Sequence, residues 1–233
     1  MEDRPRIPIA LKLVYTAFLC VLVPYYWTTY TPWNFLFFCD VALLMTLVAL
    51  WLESSLLASI CAVGLTLPQA LWVLDFLTGG RVVGMAGYMF DPKYILFVRG
   101  LSLFHGWLPF LLLWLVWRLG YDRRALLAQT LLTWVILLAS FGLAPGPPAP
   151  PHNPNAAVNI NYVHGMSDQE AQTWMHPWLW LGALMIALPA CLYLPTHLIF
   201  LRVFPRRDPT PRPGGGPSMP DGLQEPALPP SSG

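Results

Sequence analysis

Apolar runs of about 20 residues recur along the chain, separated by short polar connections. A run of this length, folded as an α-helix, crosses the ~30 Å hydrocarbon core of a bilayer. The runs predict transmembrane helices at about residues 9–27, 33–51, 55–78, 94–117, 125–143 and 177–201. Tryptophans stand at several run ends, where amphipathic rings prefer the headgroup level. The predicted fold is therefore an all-α, polytopic membrane bundle of about six helices.

Composition supports a membrane bundle that uses nearly all of the chain, residues 1–203. Of 233 residues, 56% are apolar and only 11% are charged, against about 25% charged in soluble domains. The net charge of +1 gives no reason to expect a nucleic-acid partner, so the expected partners are membrane lipids. No oligomeric state follows from the sequence. All four cysteines fall inside apolar runs, which argues against a disulfide framework: Cys20, Cys39, Cys61 and Cys191.

The distribution of lysine and arginine predicts the orientation of the bundle. Ten of them lie at the termini and the 118–124 connection, and three lie on the opposite side, at Arg81, Lys93 and Arg99. The positive-inside rule therefore places both termini in the cytoplasm, and an even number of spans requires the same. The first run lacks a small-residue cleavage site, so we expect it to stay as the first helix of a multi-pass cell-membrane protein.

Two segments are expected to lie outside the bundle. Residues 204–233 are rich in proline, glycine and serine, a composition that buries too little apolar surface to fold, which predicts a disordered cytoplasmic tail. Residues 144–176 form a long outer loop, and loops of this length are usually functional or disordered. The polar residues near the end of this loop favour a function: Asn159, Asn161, Tyr162 and His164.

Polar side chains converge on the outer half of the predicted bundle. At 1.5 Å per residue, Cys39 and Asp40 lie about 10 Å below the outer boundary. A carboxylate in the bilayer costs at least about 2.5–3.5 kcal/mol on insertion scales, so we expect Asp40 and Arg99 to be paired, hydrogen-bonded or facing water. Pro68 predicts a kink beside this region. The pattern predicts a polar pocket lined by Gln69, Asp75, Arg99, Asn161, Tyr162 and His164.

A series of motifs resembles the YwaF-like integral membrane protein family, the bacterial relatives of eukaryotic transmembrane protein 164. The motifs are "FFCDVALLMTLVAL", "PQALWVLDFLTGG", "LSLFHGWLPFLLLWLVWRLGYDRRAL", "NPNAAVNINYVHG" and "HPWLWLGALMIALPACLYLP". The resemblance covers roughly residues 33–197 and departs from the family in having Asp40 where relatives carry a histidine beside the cysteine.

The resemblance implies a cysteine-dependent phospholipid acyltransferase that needs no cofactor or metal. Its catalytic residues would be Cys39, His105 and Asp40. The thiolate is the nucleophile, and burial in apolar surroundings raises a thiol's pKa, so the cysteine needs a base nearby. In this hypothesis His105 takes the proton, Asp40 or Asp75 orients the imidazole, and Arg99 holds a lipid phosphate.

Three other interpretations remain open from the residues alone. The cluster could be the cavity of a non-catalytic receptor or transporter that binds a small ligand or lipid. It could be a zinc hydrolase site of His105, His164 and Asp75, although the chain has neither HExxH nor HxxxH spacing. The polar residues could also only hold helices together, because lipid provides no hydrophobic drive for helix association.

Overall fold

The computed structural model describes residues 7–204, and every regular element in that range is helical. The predictions for residues 1–6 and for the tail from 205 onward lie outside the described residues. The α-helices are α1 Ile9–Tyr30, α2 Phe38–Leu52, α3 Ser55–Leu77, α4 Leu96–Ser102, α5 Phe104–Leu119, α6 Ala125–Leu143, α7 Pro177–Leu188 and α8 Leu194–Val203. Short 3-10 turns cover Pro32–Leu36, Gly87–Met89 and Ile160–Tyr162, and a π-helical turn, Pro189–Tyr193, joins α7 to α8.

Five helices of the described chain are long and apolar enough to cross a membrane, which confirms the prediction of an all-α membrane protein. Two of them are composite, because α4 continues into α5 and α7 into α8. The five are Ile9–Tyr30, Ser55–Leu77, Leu96–Leu119, Ala125–Leu143 and Pro177–Val203.

The second predicted span, 33–51, has a different structure. Residues Pro32–Leu36 form a 3-10 turn, and α2 begins only at Phe38 and has 15 residues. A helix of that length rises about 22 Å, which is less than the hydrocarbon thickness. Thr31, with a φ of 72°, turns the chain between α1 and the 3-10 turn. A sixth crossing therefore stays a prediction.

Helix α3 lies at the centre of the bundle and packs against α2, α5, α6 and α8. Pro68 lies inside α3 without interrupting it. At Gly64 the helices approach so closely that a Cβ atom would lie 2.4 Å from the Nε2 atom of Gln129 on α6. Small residues at such positions let membrane helices pack closely.

A tight hairpin at Glu53 and Ser54 sets the relative heights of residues on α2 and α3. Glu53 adopts a left-handed conformation, with a φ of 50°, and the Ser54 hydroxyl caps α3 by accepting from the backbone N–H of Leu57 at 3.3 Å. Because the two helices run antiparallel from this hairpin, Asp40 and Gln69 lie at similar heights, about 18 Å and about 21 Å above it. We call the end with turns 52–54 and 118–124 the turn end, and the end with connections 78–95 and 144–176 the loop end.

The long 144–176 connection is folded against the loop end of the bundle. Asn159 organises it: its Nδ2 donates to the carbonyls of Gly165 and Ser167 at 2.9 and 3.0 Å, and its Oδ1 accepts from the backbone N–H of His164 at 2.9 Å. The N–H of Ala157 donates to the carbonyl at the end of α1, 2.9 Å away. Asn159 thus has a structural role in the loop.

Candidate functional site

Asp40 occupies the first turn of α2 and is only 3% exposed. Its Oδ2 accepts a hydrogen bond from Asn34 Nδ2 at 3.0 Å, and the Cys39 thiol makes a longer contact to the same oxygen at 3.9 Å. Its Oδ1 is buried and has no hydrogen-bond partner among the described residues. The carboxylate is therefore only half satisfied.

No cation of the described chain pairs with Asp40. Between residues 7 and 204 the ion pairs found are Lys12–Glu53 at 2.8 Å and Arg124–Asp122 at 2.7 Å, both at the turn end. Arg99 instead donates from Nη1 to the Met89 carbonyl at 3.2 Å. Of the expected alternatives for Asp40 and Arg99, the structure thus shows hydrogen bonding and not mutual pairing.

His105 lies at the start of α5 and is held by the last turn of α4. Its Nδ1 lies 2.9 Å from the Ser102 carbonyl, and the Ser102 hydroxyl shares a hydrogen bond with the Tyr26 hydroxyl at 3.3 Å. A carbonyl only accepts, so Nδ1 carries the proton and Nε2 has the free lone pair. No hydrogen bond joins His105 to Cys39 among the described residues, because the thiol contacts Asp40 instead.

A stack of aromatic rings runs from His105 to the loop end. The His105 ring lies on Trp72 at 5.2 Å, Trp72 on Phe76 at 5.3 Å, and Phe76 on Phe90 at 5.4 Å, all with planes within 28° of parallel. Trp72 is 3% exposed, and its Nε1 has no partner in the described structure. Sequence reasoning missed Trp72, although its position three residues after Gln69 placed both on one face of a helix.

Gln69 completes the set of buried polar side chains near Asp40. It is 4% exposed, and its Oε1 has no hydrogen-bond partner within residues 7–204. The hairpin places it at the height of Asp40, and Trp72 lies about one turn nearer the loop end. We call Asp40, Gln69 and Trp72 the unpaired cluster. Arg99, which also leaves its buried Nε without a partner, lies beside the cluster, because Met89 packs on Trp72.

Asp75 has a separate and structural role. Its fully buried carboxylate accepts four backbone N–H groups of the following loop, at distances between 2.7 and 3.3 Å. The loop reaches these positions through three glycines with positive φ. The donors are Val82, Val83, Gly84 and Ala86. With four donors, Asp75 serves to fold the loop and has no contact to the imidazole of His105.

Asn161 and Tyr162 also serve the fold of the loop end. Asn161 is buried and bridges the 3-10 turn and α2, donating to the Leu36 carbonyl at 2.8 Å and accepting from the Phe38 N–H at 3.1 Å. The carbonyl of Tyr162 accepts from Trp180 Nε1 at 2.8 Å, while the Tyr162 side chain is 40% exposed. Partial burial raises the pKa of Tyr162.

His164 lies in the loop, outside the unpaired cluster. Its ring stacks on Phe141 at 5.3 Å, and its buried Nε2 has no partner in the described part of the chain. Burial lowers the pKa of His164 below its ordinary value of 6.5. Within residues 7–204 no three His, Cys, Asp or Glu side chains come together as a metal site, so His105, His164 and Asp75 do not form the zinc site considered above.

The structure thus brings Asp40, Cys39 and Gln69 to one level, with Trp72, His105 and Arg99 beside them, and it separates Asp75, Asn161 and His164 into the loop framework. Comparison of the chain with protein-family models, with curated proteins and with solved structures gave no match in any of the three.

Proposed function

We propose that this membrane protein binds the polar part of a lipid, or a small polar molecule, at the unpaired cluster. The observation that carries the proposal is that Asp40, Gln69 and Trp72 are each at least 96% buried and each keep one polar atom without a partner in the described structure. An unsatisfied buried polar group costs about 1–3 kcal/mol. A bound molecule with complementary groups would remove this cost.

The packing of a second polar network argues against a purely structural role for the cluster. On α6, Gln129 Nε2 donates to Thr133 Oγ1 at 3.2 Å, and Thr133 Oγ1 shares a hydrogen bond with the Tyr193 hydroxyl at 2.8 Å. These three side chains hold α6 to the π-helical turn and pair directly with one another. In the unpaired cluster Asp40 Oδ2 is paired with Asn34 and Cys39, but each member keeps one polar atom without a partner, which is the difference expected between a binding site and a helix clamp.

Binding can be tested on the purified full-length protein. Native mass spectrometry after gentle extraction would reveal retained lipids or small molecules, and thermal unfolding would show which of them stabilise the protein. We expect Asp40→Asn to abolish the stabilisation by the retained molecule. The matched control is Thr133→Val, which should lower the melting temperature while the ligand-induced shift persists. Equal shifts in wild type and Asp40→Asn would contradict the proposal.

A second candidate function is acyl transfer, favoured by the contact between the Cys39 thiol and Asp40 Oδ2. The sulfur would attack the ester carbonyl of a phospholipid, the thiol proton would pass to Asp40, and the departing lysolipid alkoxide would take up that proton. The resulting thioester at Cys39 would then pass its acyl chain to the hydroxyl of a second lipid. This activity would agree with the resemblance to the YwaF-like proteins.

Acyl transfer predicts a covalent intermediate that can be captured. The protein would be incubated in bilayers with alkyne-tagged phospholipid and examined for a hydroxylamine-labile label. Cys39→Ser should lose the label, and Cys20→Ser and Cys191→Ser, which change exposed cysteines, should retain it. An unlabelled wild-type protein that is folded and binds lipid would exclude acyl transfer and leave binding intact.

We also propose that α2 together with the preceding 3-10 turn makes a sixth crossing, that both termini are cytoplasmic, and that the membrane is a bacterial inner membrane. The excess of ten lysines and arginines over three between the two sides supports the orientation, and the choice of membrane rests on the resemblance to the bacterial YwaF-like proteins. A reporter enzyme that works only in the cytoplasm should be active when it is fused to the C-terminus. A reporter enzyme that works only outside the membrane should be active when it is inserted at the exposed Asn155. The reverse pattern would refute the orientation.

A further inference from the structure

The unpaired cluster also indicates the chemical class of its ligand, an inference that rests on the proposed function. We propose that the ligand presents a primary ammonium group to Asp40 and Gln69.

Asp40 has no cationic partner among the described residues. Its carboxylate is 3% exposed, and no Lys, Arg or His of residues 7–204 lies within ion-pair distance. Arg99, the nearest expected partner, donates to the Met89 carbonyl. An ionised carboxylate without a counter-charge is costly to bury. A cation bound from outside the chain would offset this cost and favour the ionised carboxylate.

The type of the missing partner follows from the unpaired atoms. Asp40 Oδ1 and Gln69 Oε1, which lie at similar heights on the adjacent helices α2 and α3, are both acceptors that lack a donor. A primary ammonium has three N–H donors and no acceptor, so one group can satisfy both oxygens. A phosphate or carboxylate is disfavoured at these two oxygens, whereas the unpaired donors Trp72 Nε1 and Arg99 Nε are left for an acceptor that the ammonium itself does not supply. A quaternary ammonium supplies charge but has no N–H group for these oxygens.

Aromatic rings border the same site. The buried Tyr26 hydroxyl interacts electrostatically with the Asp40 carboxylate, and the Tyr26 ring meets Tyr30 edge to face at 5.2 Å. Ring faces stabilise ammonium groups in desolvated sites. The presence of Tyr26 near the carboxylate is therefore chemically compatible with an amine.

The ammonium group could belong to an ethanolamine phospholipid or to a free amine, and a binding experiment can separate the two sources. The full-length protein would be reconstituted in phosphatidylcholine nanodiscs containing either phosphatidylethanolamine or phosphatidylglycerol, and bound lipid would be counted by native mass spectrometry. In parallel, ethanolamine would be titrated into pure phosphatidylcholine discs while the melting temperature is measured.

We expect phosphatidylethanolamine to be retained over phosphatidylcholine, or ethanolamine to raise the melting temperature. Asp40→Asn should weaken that binding by about tenfold to a hundredfold, as expected for loss of a charge-assisted hydrogen bond. Asp122→Asn is the control, because Asp122 pairs with Arg124 at the turn end. Should Asp40→Asn not fold, Gln69→Met replaces it and should also weaken binding, through loss of the second acceptor.

The outcomes separate this inference from the proposed function. A preference for phosphatidylethanolamine that is lost in Asp40→Asn identifies a lipid headgroup as the ligand. A rise in melting temperature with ethanolamine, without a lipid preference, identifies a free amine. Both outcomes support the inference. Binding of phosphatidylcholine or phosphatidylglycerol that depends on Asp40 would overturn the ammonium proposal and keep the binding function. No binding that depends on Asp40 or Gln69 would overturn both.

Discussion

The side-chain amide of Asn161 bonds the backbone N–H of Phe38 at 3.1 Å, across 123 residues of sequence. The same amide donates to the Leu36 carbonyl at 2.8 Å. One side chain thus bonds both the Leu36 carbonyl and the Phe38 N–H, the two backbone groups at the junction between the 3-10 turn and α2. The start of α2, and hence the position of Cys39 and Asp40, depends on the distant 144–176 loop.

Replacing Asn161 should therefore destabilise the loop end. Asn161→Ala leaves the half-buried Phe38 N–H and Leu36 carbonyl without this partner, at a cost of about 1–3 kcal/mol for the lost bonds. The left-handed φ of 56° at this position also disfavours alanine. Thermal unfolding would measure the loss, with the exposed Asn155→Ala as control. Equal melting temperatures of the two variants would contradict the bridging role.

Asp75 should control the order of the loop that follows α3. Asp75→Asn replaces one accepting oxygen by an NH2 group, which cannot accept from the N–H groups of Val82 to Ala86. We expect hydrogen exchange of these amides to accelerate at least tenfold while exchange in the helical core is unchanged. Asp91→Asn, which alters an exposed carboxylate that accepts from the Lys93 N–H, is the control. Unchanged protection at residues 82–86 would refute this account.

A side chain at Gly64 should destabilise the protein by displacing the buried Gln129 side chain. In Gly64→Ala the new Cβ would lie 2.4 Å from Gln129 Nε2, and overpacking of this kind costs about 1–3 kcal/mol. Gly182→Ala is a matched control in α7, since a Cβ there meets nothing within 4 Å. Thermal unfolding would compare the two variants. The double variant Gly64→Ala with Gln129→Ala should recover part of the stability that Gly64→Ala loses. If the stability losses of the two single variants simply add, the clash with Gln129 is not the cause.

His164 should make the stability of the protein depend on pH. Burial holds its pKa below 6.5, so the unfolded chain binds the proton more readily than the folded one. The stability contribution is complete above pH 6.5 and is lost as the pH falls through the folded-state pKa. His164→Phe keeps the stacking on Phe141. Between pH 7.5 and pH 5 the melting temperature of this variant should fall by less than the melting temperature of the wild type. His152→Gln is the control, and a drop in His164→Phe equal to that of wild type would contradict the prediction.

Particular residues show where sequence reasoning reached the site and where it stopped. Placing Asp40 and Gln69 at one height required only helix rise and a hairpin, both readable from the sequence. Which of the expected alternatives holds for Asp40 and Arg99 depended on side-chain directions, and in the structure Arg99 donates to the Met89 carbonyl. Trp72 was overlooked because an interior tryptophan in an apolar run carries no local signal of its lack of a partner.

The sequence by itself determined that this is an all-helical membrane protein and where five long apolar helices lie. It did so because a bilayer forces each crossing to be a long apolar helix that satisfies its own backbone. Only the tertiary structure decided that the second run breaks before Phe38, that Asp75 folds a loop, and that Asp40, Gln69 and Trp72 are left unpaired. These features depend on side-chain contacts between distant segments, which no local pattern of hydrophobicity encodes.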